Sequence, residues 1–310
     1  MNGFRYSDDN KRYHTLAYHN RKTFGEKIYK AVIDAGFTCP NKDGTCGNEG
    51  CIFCGGGSGY FTAPSEIPVM TQLENELERI HRKVPDAKII AYFQANTNTY
   101  APAERLRKIY EPLIGLPYLK GISIGTRADC LPDDTLDFLE ELSTKTYLTV
   151  ELGMQSVHEK TIELIKRGYS HDVFLQGYHA LKQRGIRVCV HIINGLPYET
   201  EEDMISTARQ LGQLSPDGVK IQLLHVIRGT ALEKMYNENV FETMTMEGYI
   251  ETVVKQLELL PPETVIERIT GDGDKRTLAA PMWSTNKIAV LGGIDKLQRQ
   301  LDSFQGRIFT

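Results

Sequence analysis

Short apolar runs alternate along this chain with segments whose apolar residues recur at helical spacing. Strands are predicted over residues 31–37, 88–94, 121–125, 147–154, 187–193 and 219–225. Helices are predicted over 71–83, 103–113, 132–142, 172–184 and 201–214. Pro132 suits a first helical turn, Gly185 follows a helix end, and Glu201 opens an acid-led first turn. Strand–helix units in series imply parallel strands joined by right-handed crossovers. Such a series closes into a barrel or part of one, or stays an open doubly wound sheet. Either arrangement puts chemistry at the carboxyl ends of the strands. Beyond about residue 240 the pattern changes. A helix over 249–260 ends at Pro261-Pro262, a strand follows over 264–269, and a closing helix starts at Lys287. The reading is a single α/β core over 31–240, with an N-terminal arm over 1–30 and a C-terminal extension over 241–310 packed on the barrel.

The segments just past the strands are polar or glycine-bearing where a structural turn needs only to be short. They run from Gln94 to Thr99, from Thr126 to Asp129, through Gln155-Ser156, from Asn194 to Pro197, and to His225.

With 310 residues, 41% of them hydrophobic, the chain can bury a full core. No stretch is long and apolar enough to span a bilayer, and the N-terminus has no apolar signal region. A cytoplasmic location without a membrane partner is therefore expected. A net charge of −4 excludes electrostatic nucleic-acid binding by the molecule as a whole. The arm differs in composition. Arg5, Lys11, Arg12, Arg21, Lys22, Lys27 and Lys30 are interleaved with Tyr6, Tyr13, Tyr18, Phe24 and Tyr29. That composition suits phosphates and splayed bases, or simply a solvated, partly disordered arm.

Four of the six cysteines, Cys39, Cys46, Cys51 and Cys54, crowd into one stretch after the first strand. Thiolates bind soft or borderline metals and iron–sulfur clusters. Cys51 and Cys54 form a C-x-x-C, a spacing that aims two sulfurs at one centre, and the glycines from Gly55 to Gly57 allow close backbone approach. A metal site, a redox dithiol and disulfides are the candidates. The expected location and the chain length argue against disulfides. Cys130 and Cys189 read as a loop thiol and a small buried strand residue.

Three thiolates on a four-iron cluster leave one iron open to a small molecule. A cysteine cluster just after the first strand of a strand–helix series resembles the radical S-adenosylmethionine (SAM) superfamily. Three further segments are similar to the branch containing the elongator catalytic subunit. They are Val150-Glu151-Leu152-Gly153-Met154-Gln155-Ser156, His191-Ile192-Ile193-Asn194-Gly195-Leu196-Pro197, and Ile221 onward to Arg228-Gly229-Thr230. Arg268-Ile269-Thr270-Gly271-Asp272-Gly273 and Ala280-Pro281-Met282-Trp283-Ser284 resemble a bacterial stand-alone family related to that subunit.

The resemblance implies a partial (β/α)6 TIM-like radical SAM barrel, a [4Fe-4S] cluster and S-adenosyl-L-methionine. It implies Cys39, Cys51 and Cys54 as cluster ligands, with Cys46 as a rival for the third place. Gln94, Asn96, Thr97, Asn98, Ser123, Arg127, Glu151 and Gln155 are implied SAM contacts, with an Arg127–Asp129 salt bridge as the structural alternative for Arg127. Asn194 and His225 are expected to line the adenosyl or substrate space. A Gram-positive branch of the family implies the reaction, conversion of carboxymethylaminomethyl to aminomethyl on the tRNA wobble uridine. It also implies an electron donor such as flavodoxin or ferredoxin and a downstream tRNA methyltransferase as partners. Two other readings are a radical SAM enzyme acting on a small molecule and a zinc-stabilised RNA-binding scaffold with all four thiolates on the metal.

Overall fold

Alternating strands and helices wind into one curled parallel sheet in a computed structural model that describes residues 4–55, 62–94, 96–271 and 273–310. Gly56, Gly57, Ala95 and Asp272, singled out in the sequence, lie outside the described residues. In chain order the elements are α1 (Leu16–Phe24), β1 (Ile28–Ile33), α2 (Val69–His81), β2 (Lys88–Phe93), α3 (Ala103–Tyr110), β3 (Leu119–Thr126), α4 (Asp133–Lys145), β4 (Tyr147–Gln155), α5 (Glu159–Leu164), α6 (His171–Gln183), β5 (Arg187–Asn194), α7 (Glu201–Leu214) and β6 (Gly218–Leu223). The C-terminal part adds β7 (Val226–Ile227), α8 (Ala231–Asn237), α9 (Met246–Leu259), β8 (Val265–Arg268), β9 (Leu278–Ala280) and α10 (Lys287–Gln300).

The sheet order is β1-β2-β3-β4-β5-β6-β8, and every pairing is parallel. This is the expected partial barrel, with a seventh strand contributed from beyond residue 240. The strands carry near-continuous apolar residues such as Ile89, Ile90, Ile122, Ile124, Val188 and Val190, as burial on both faces requires. β7 and β9 form a separate antiparallel ribbon.

The first strand lies earlier than expected, starting at Ile28 and not at Ala31. It ends at Ile33 and not at Phe37. Asp34 Oδ1 accepts the Gly36 N–H at 2.9 Å, an Asx turn that breaks the strand before the cysteines.

The N-terminal arm is ordered where described. Thr15 caps α1, and the arm pairs with the free edge of β8, where Ile266 N–H donates to His14 O at 2.8 Å. His19 Nε2 lies 2.8 Å from the hydroxyl of Tyr147, the first residue of β4, and Phe24 packs edge-on to the same ring. The arm therefore plugs the end of the barrel where strands begin. Its cations are largely committed there: Lys11 to Asp295, Arg12 to Asp302, Arg21 to Asp8, and Lys30 to Glu267 inside the barrel. The arm, whose composition suits phosphates and bases, thus lies at the end opposite the strand carboxyl ends. Among the described residues, no helix is long and apolar enough to cross a membrane.

Candidate functional site

Parallel strands bring their carboxyl ends to one rim, and the chemistry-bearing residues gather there. The cysteine loop follows β1. Its turns are closed by Lys42 N–H to Cys39 O at 2.8 Å, Gly50 N–H to Asn41 O at 2.7 Å and Cys54 N–H to Cys51 O at 2.9 Å. Asn41 Nδ2 donates to Lys166 O at 2.5 Å and faces Cys51 Sγ at 3.6 Å, so one amide fixes the loop and supports a sulfur. Burial pushes the Cys51 thiol up to about 11, and the neighbouring Cys54 and Cys39 add to this. A thiol in such a place is ionised by a bound metal and not by the protein.

Cys46 is exposed and lines a cavity of about 720 Å³ with Cys130, Thr99 and Asp129 on the outer side of the loop. Among the described residues, no group of three His, Cys, Asp or Glu side chains is gathered as a single ion requires. Cys39, Cys51 and Cys54, half-buried on one tight loop and close enough to influence one another electrostatically, fit a cluster that spreads its thiolates over separate irons.

The segment after β2 is tied to this loop. Lys42 Nζ donates to Asn96 Oδ1 at 2.9 Å, Asn96 Nδ2 to Phe37 O at 2.9 Å, and Thr97 N–H to Thr38 O at 3.1 Å. Asn98 is buried and donates from Nδ2 to Gly125 O at 2.9 Å. Gln94 is half-buried at the strand exit. These residues hold the rim together in this state.

Arg127, past β3, grips Asp129 with both ends of its fork, Nε at 2.9 Å and Nη2 at 2.7 Å, while Nη1 donates to Arg167 O at 2.9 Å. The structure thus takes the salt-bridge alternative. A carboxylate of SAM would find this fork already occupied by Asp129.

Gln155 closes β4 at a break in the β4–β5 register, with a positive φ of 64°. Gly153 makes room for it, because a Cβ there would lie 2.6 Å from Gln155 Nε2. Gln155 Oε1 is buried with no hydrogen-bond partner among the described residues. A buried acceptor left open at the rim is what a ligand with an ammonium or hydroxyl donor would satisfy.

Glu151 sits deeper, on the barrel floor. Its carboxylate accepts from Tyr92 OH at 2.9 Å and Ser123 Oγ at 2.6 Å, pairs with Lys220, and lies 2.7 Å from His191 Nε2. Lys30 adds a contact at 3.3 Å and bridges to Glu267 at 3.0 Å. Glu151 and Ser123, expected as SAM contacts, bond to each other within this internal network. The lysines hold Glu151 well below the usual carboxylate range against the opposing cost of burial.

Asn194, expected to line the adenosyl or substrate space, is buried and exchanges two amide hydrogen bonds with Gln256 of α9, both at 2.8 Å, which tie the extension to the barrel. His225 packs under Gly271, where a Cβ would lie 2.6 Å from Cε1, and its Nε2 is buried with no hydrogen-bond partner among the described residues. Burial, with Lys287 and Arg268 nearby, pushes the imidazole down to about 4, so it is neutral at pH 7.

Sequence reasoning missed Lys220, Arg167 and Asn41. Asn41 alone carried a local signal, standing two residues after Cys39.

Residues 43–211 match the Radical SAM superfamily and residues 216–299 the Radical_SAM C-terminal domain. The chain is 48% identical over 309 residues to the uncharacterized protein YtqA of Bacillus subtilis, covering 99% of this chain and 96% of that protein. It is 28% identical to human Elongator complex protein 3, over 69% of this chain and 41% of that one. The fold is similar to the archaeal Elp3 of Methanocaldococcus infernus with a TM-score of 0.66 at 18% identity, covering 90% of this chain and 64% of that one. The curled parallel sheet, the thiol loop after its first strand and these matches agree: the chain belongs to the radical SAM superfamily, whose cofactors are a [4Fe-4S] cluster and S-adenosylmethionine, and it is homologous to the elongator protein Elp3.

Proposed function

We propose that this protein modifies tRNA, converting the carboxymethylaminomethyl group on C5 of the wobble uridine to aminomethyl. The observation that carries this reading is the homology with Elongator complex protein 3 over 69% of the chain, joined to the family segments of the C-terminal extension. A cluster held by Cys39, Cys51 and Cys54, with SAM beside it, would supply radical hydrogen-abstraction chemistry.

The chain's own residues do the rest. Cys39, Cys51 and Cys54 hold the cluster, with Asn41 fixing the loop. Gln155 offers its open acceptor to SAM. The Glu151–Lys220–Lys30 network keeps the floor below the site rigid, with its charges mutually satisfied. His225, neutral at pH 7, offers a nitrogen at the β6 exit.

The cationic side of the rim supports a polyanionic substrate. Arg228, Lys275 and Lys287 are exposed around the β7–β9 ribbon, and Arg276 beside them pairs with Asp274 at 2.9 Å. That ribbon adjoins the cysteine loop, since a Cβ on Gly55 would lie 3.1 Å from Ile227. We assign phosphate contact to this ribbon in place of the N-terminal arm.

The test is anaerobic. The reconstituted protein is given SAM, a reductant and bulk tRNA from cells lacking the gene, and the digested nucleosides are read by mass spectrometry. The reading predicts loss of carboxymethylaminomethyl-uridine with gain of aminomethyl-uridine. SAM cleavage with every nucleoside unchanged would overturn it and favour a small-molecule substrate.

A further inference from the structure

We infer that Tyr198 is a platform on which an unpaired nucleobase of the RNA substrate stacks; this rests on the reading that the substrate is RNA. Tyr198 lies between β5 and α7, on the same rim as Gln155 and His225. It is 69% exposed and has a φ of +66°. A bulky side chain rarely adopts that left-handed backbone, whereas glycine does so freely.

The surrounding loop imposes the conformation. Glu199 N–H donates to Leu196 O at 3.1 Å, and Ser156 Oγ donates to Glu199 Oε1 at 2.5 Å. Thr200 and Asp203 then close a reciprocal capping box at the start of α7. Among the described residues the Tyr198 side chain makes no hydrogen bond and no ring contact, so internal packing does not account for an aromatic here. A strained, exposed and rigidly held aromatic at a functional rim points to a ligand face.

The adjoining space defines that ligand. A cavity of about 310 Å³ opens beside the ring, with Leu196, Met204, Phe241 and Met244 giving apolar walls and Glu199 and Glu242 giving carboxylates. Apolar and thioether walls suit the flat face of a base, and carboxylates accept from its N–H edge. The same carboxylates repel phosphate. The base therefore enters while the backbone stays outside, and stacking on an exposed aromatic is sequence-tolerant.

Equilibrium binding of the full chain to bulk tRNA, across a salt series, tests this with Tyr198→Gly and Tyr198→Phe. Glycine suits the +66° backbone, so the first variant keeps the fold, checked by its melting curve. Tyr198→Gly is expected to bind roughly tenfold more weakly with an unchanged salt slope, because stacking releases no counterions. Tyr198→Phe keeps the wild-type affinity. Wild-type affinity in Tyr198→Gly would overturn the platform and leave the RNA reading intact. A wild-type protein that does not bind tRNA would overturn the RNA reading and the platform with it. Uridine monophosphate binding as tightly as tRNA, with the same dependence on Tyr198, would overturn the assignment to RNA.

Discussion

Glu151 of β4 and Lys220 of β6 form an ion pair on the barrel floor, with side chains 0% and 3% exposed. Tyr92, Ser123, His191 and Lys30 complete the shell around the carboxylate. A buried pair is costly to assemble and more costly to break, because the partner left behind is an uncompensated charge. Glu151→Gln is expected to destabilise the fold by about 3–5 kcal/mol, read from denaturant unfolding. The carboxyl is held below its usual range, so its contribution is complete above about pH 4.3 and is lost as pH falls below that value. The variant should accordingly show a flatter stability profile in that acid range. A loss under 1 kcal/mol would mean that the floor tolerates Lys220 without its carboxylate, Lys30 keeping Glu267.

At the other end of the barrel, His19 is buried against Tyr147 and pushed down to about 4, with Arg187 and His14 adding to burial and Glu267 and Asp217 opposing it. The unfolded chain takes up a proton near pH 6.5 that the folded protein resists until about pH 4. Stability therefore falls as pH drops through that window. His19→Gln should shrink the difference in melting temperature between pH 7 and pH 5. An unchanged difference would show that the plug does not depend on a neutral imidazole.

Gln155→Ala removes the open buried acceptor at the rim. A hydrogen bond to a charged ligand group contributes about 1.5–3 kcal/mol. SAM affinity of the reconstituted protein should fall at least tenfold while iron content stays at the wild-type level. Unchanged SAM affinity would remove Gln155 from the site.

Much of this was legible before the fold was known. The order of strands, the thiol loop and the polar strand end at Gln155 are local signals, written in spacing and strand-end chemistry. The barrel floor is not local. Lys30 stands in Ile28-Tyr29-Lys30-Ala31 and Lys220 in Val219-Lys220-Ile221-Gln222, patterns that read as solvent-facing positions on half-buried strands. Their partner Glu151 comes from a distant part of the chain, and only closure of the sheet brings the three together. The same holds for Asn194, whose partner Gln256 belongs to a helix added after the barrel. The placement of the arm was not legible for a related reason: a basic and aromatic composition is as well suited to plugging a barrel as to binding RNA.

The two ends of the barrel give opposite expectations for tRNA. Neutralising Arg21 and Lys22, at the plugged end, should leave affinity and salt slope unchanged. Neutralising Arg228 and Lys275 at the ribbon should weaken binding and reduce the slope by about 2. The reverse pattern would return the interface to the arm.

The most direct test of the site is the iron and sulfide content of Cys39→Ala and Cys46→Ala after anaerobic reconstitution, with 5′-deoxyadenosine formation from SAM as a second readout. Wild type should hold about four iron and four sulfide per chain. Cys46→Ala should keep most of both and still cleave SAM, while Cys39→Ala loses the cluster and the cleavage. Retention by Cys39→Ala with loss by Cys46→Ala would contradict the ligand assignment, and zinc at one per chain in place of iron would contradict the cluster itself.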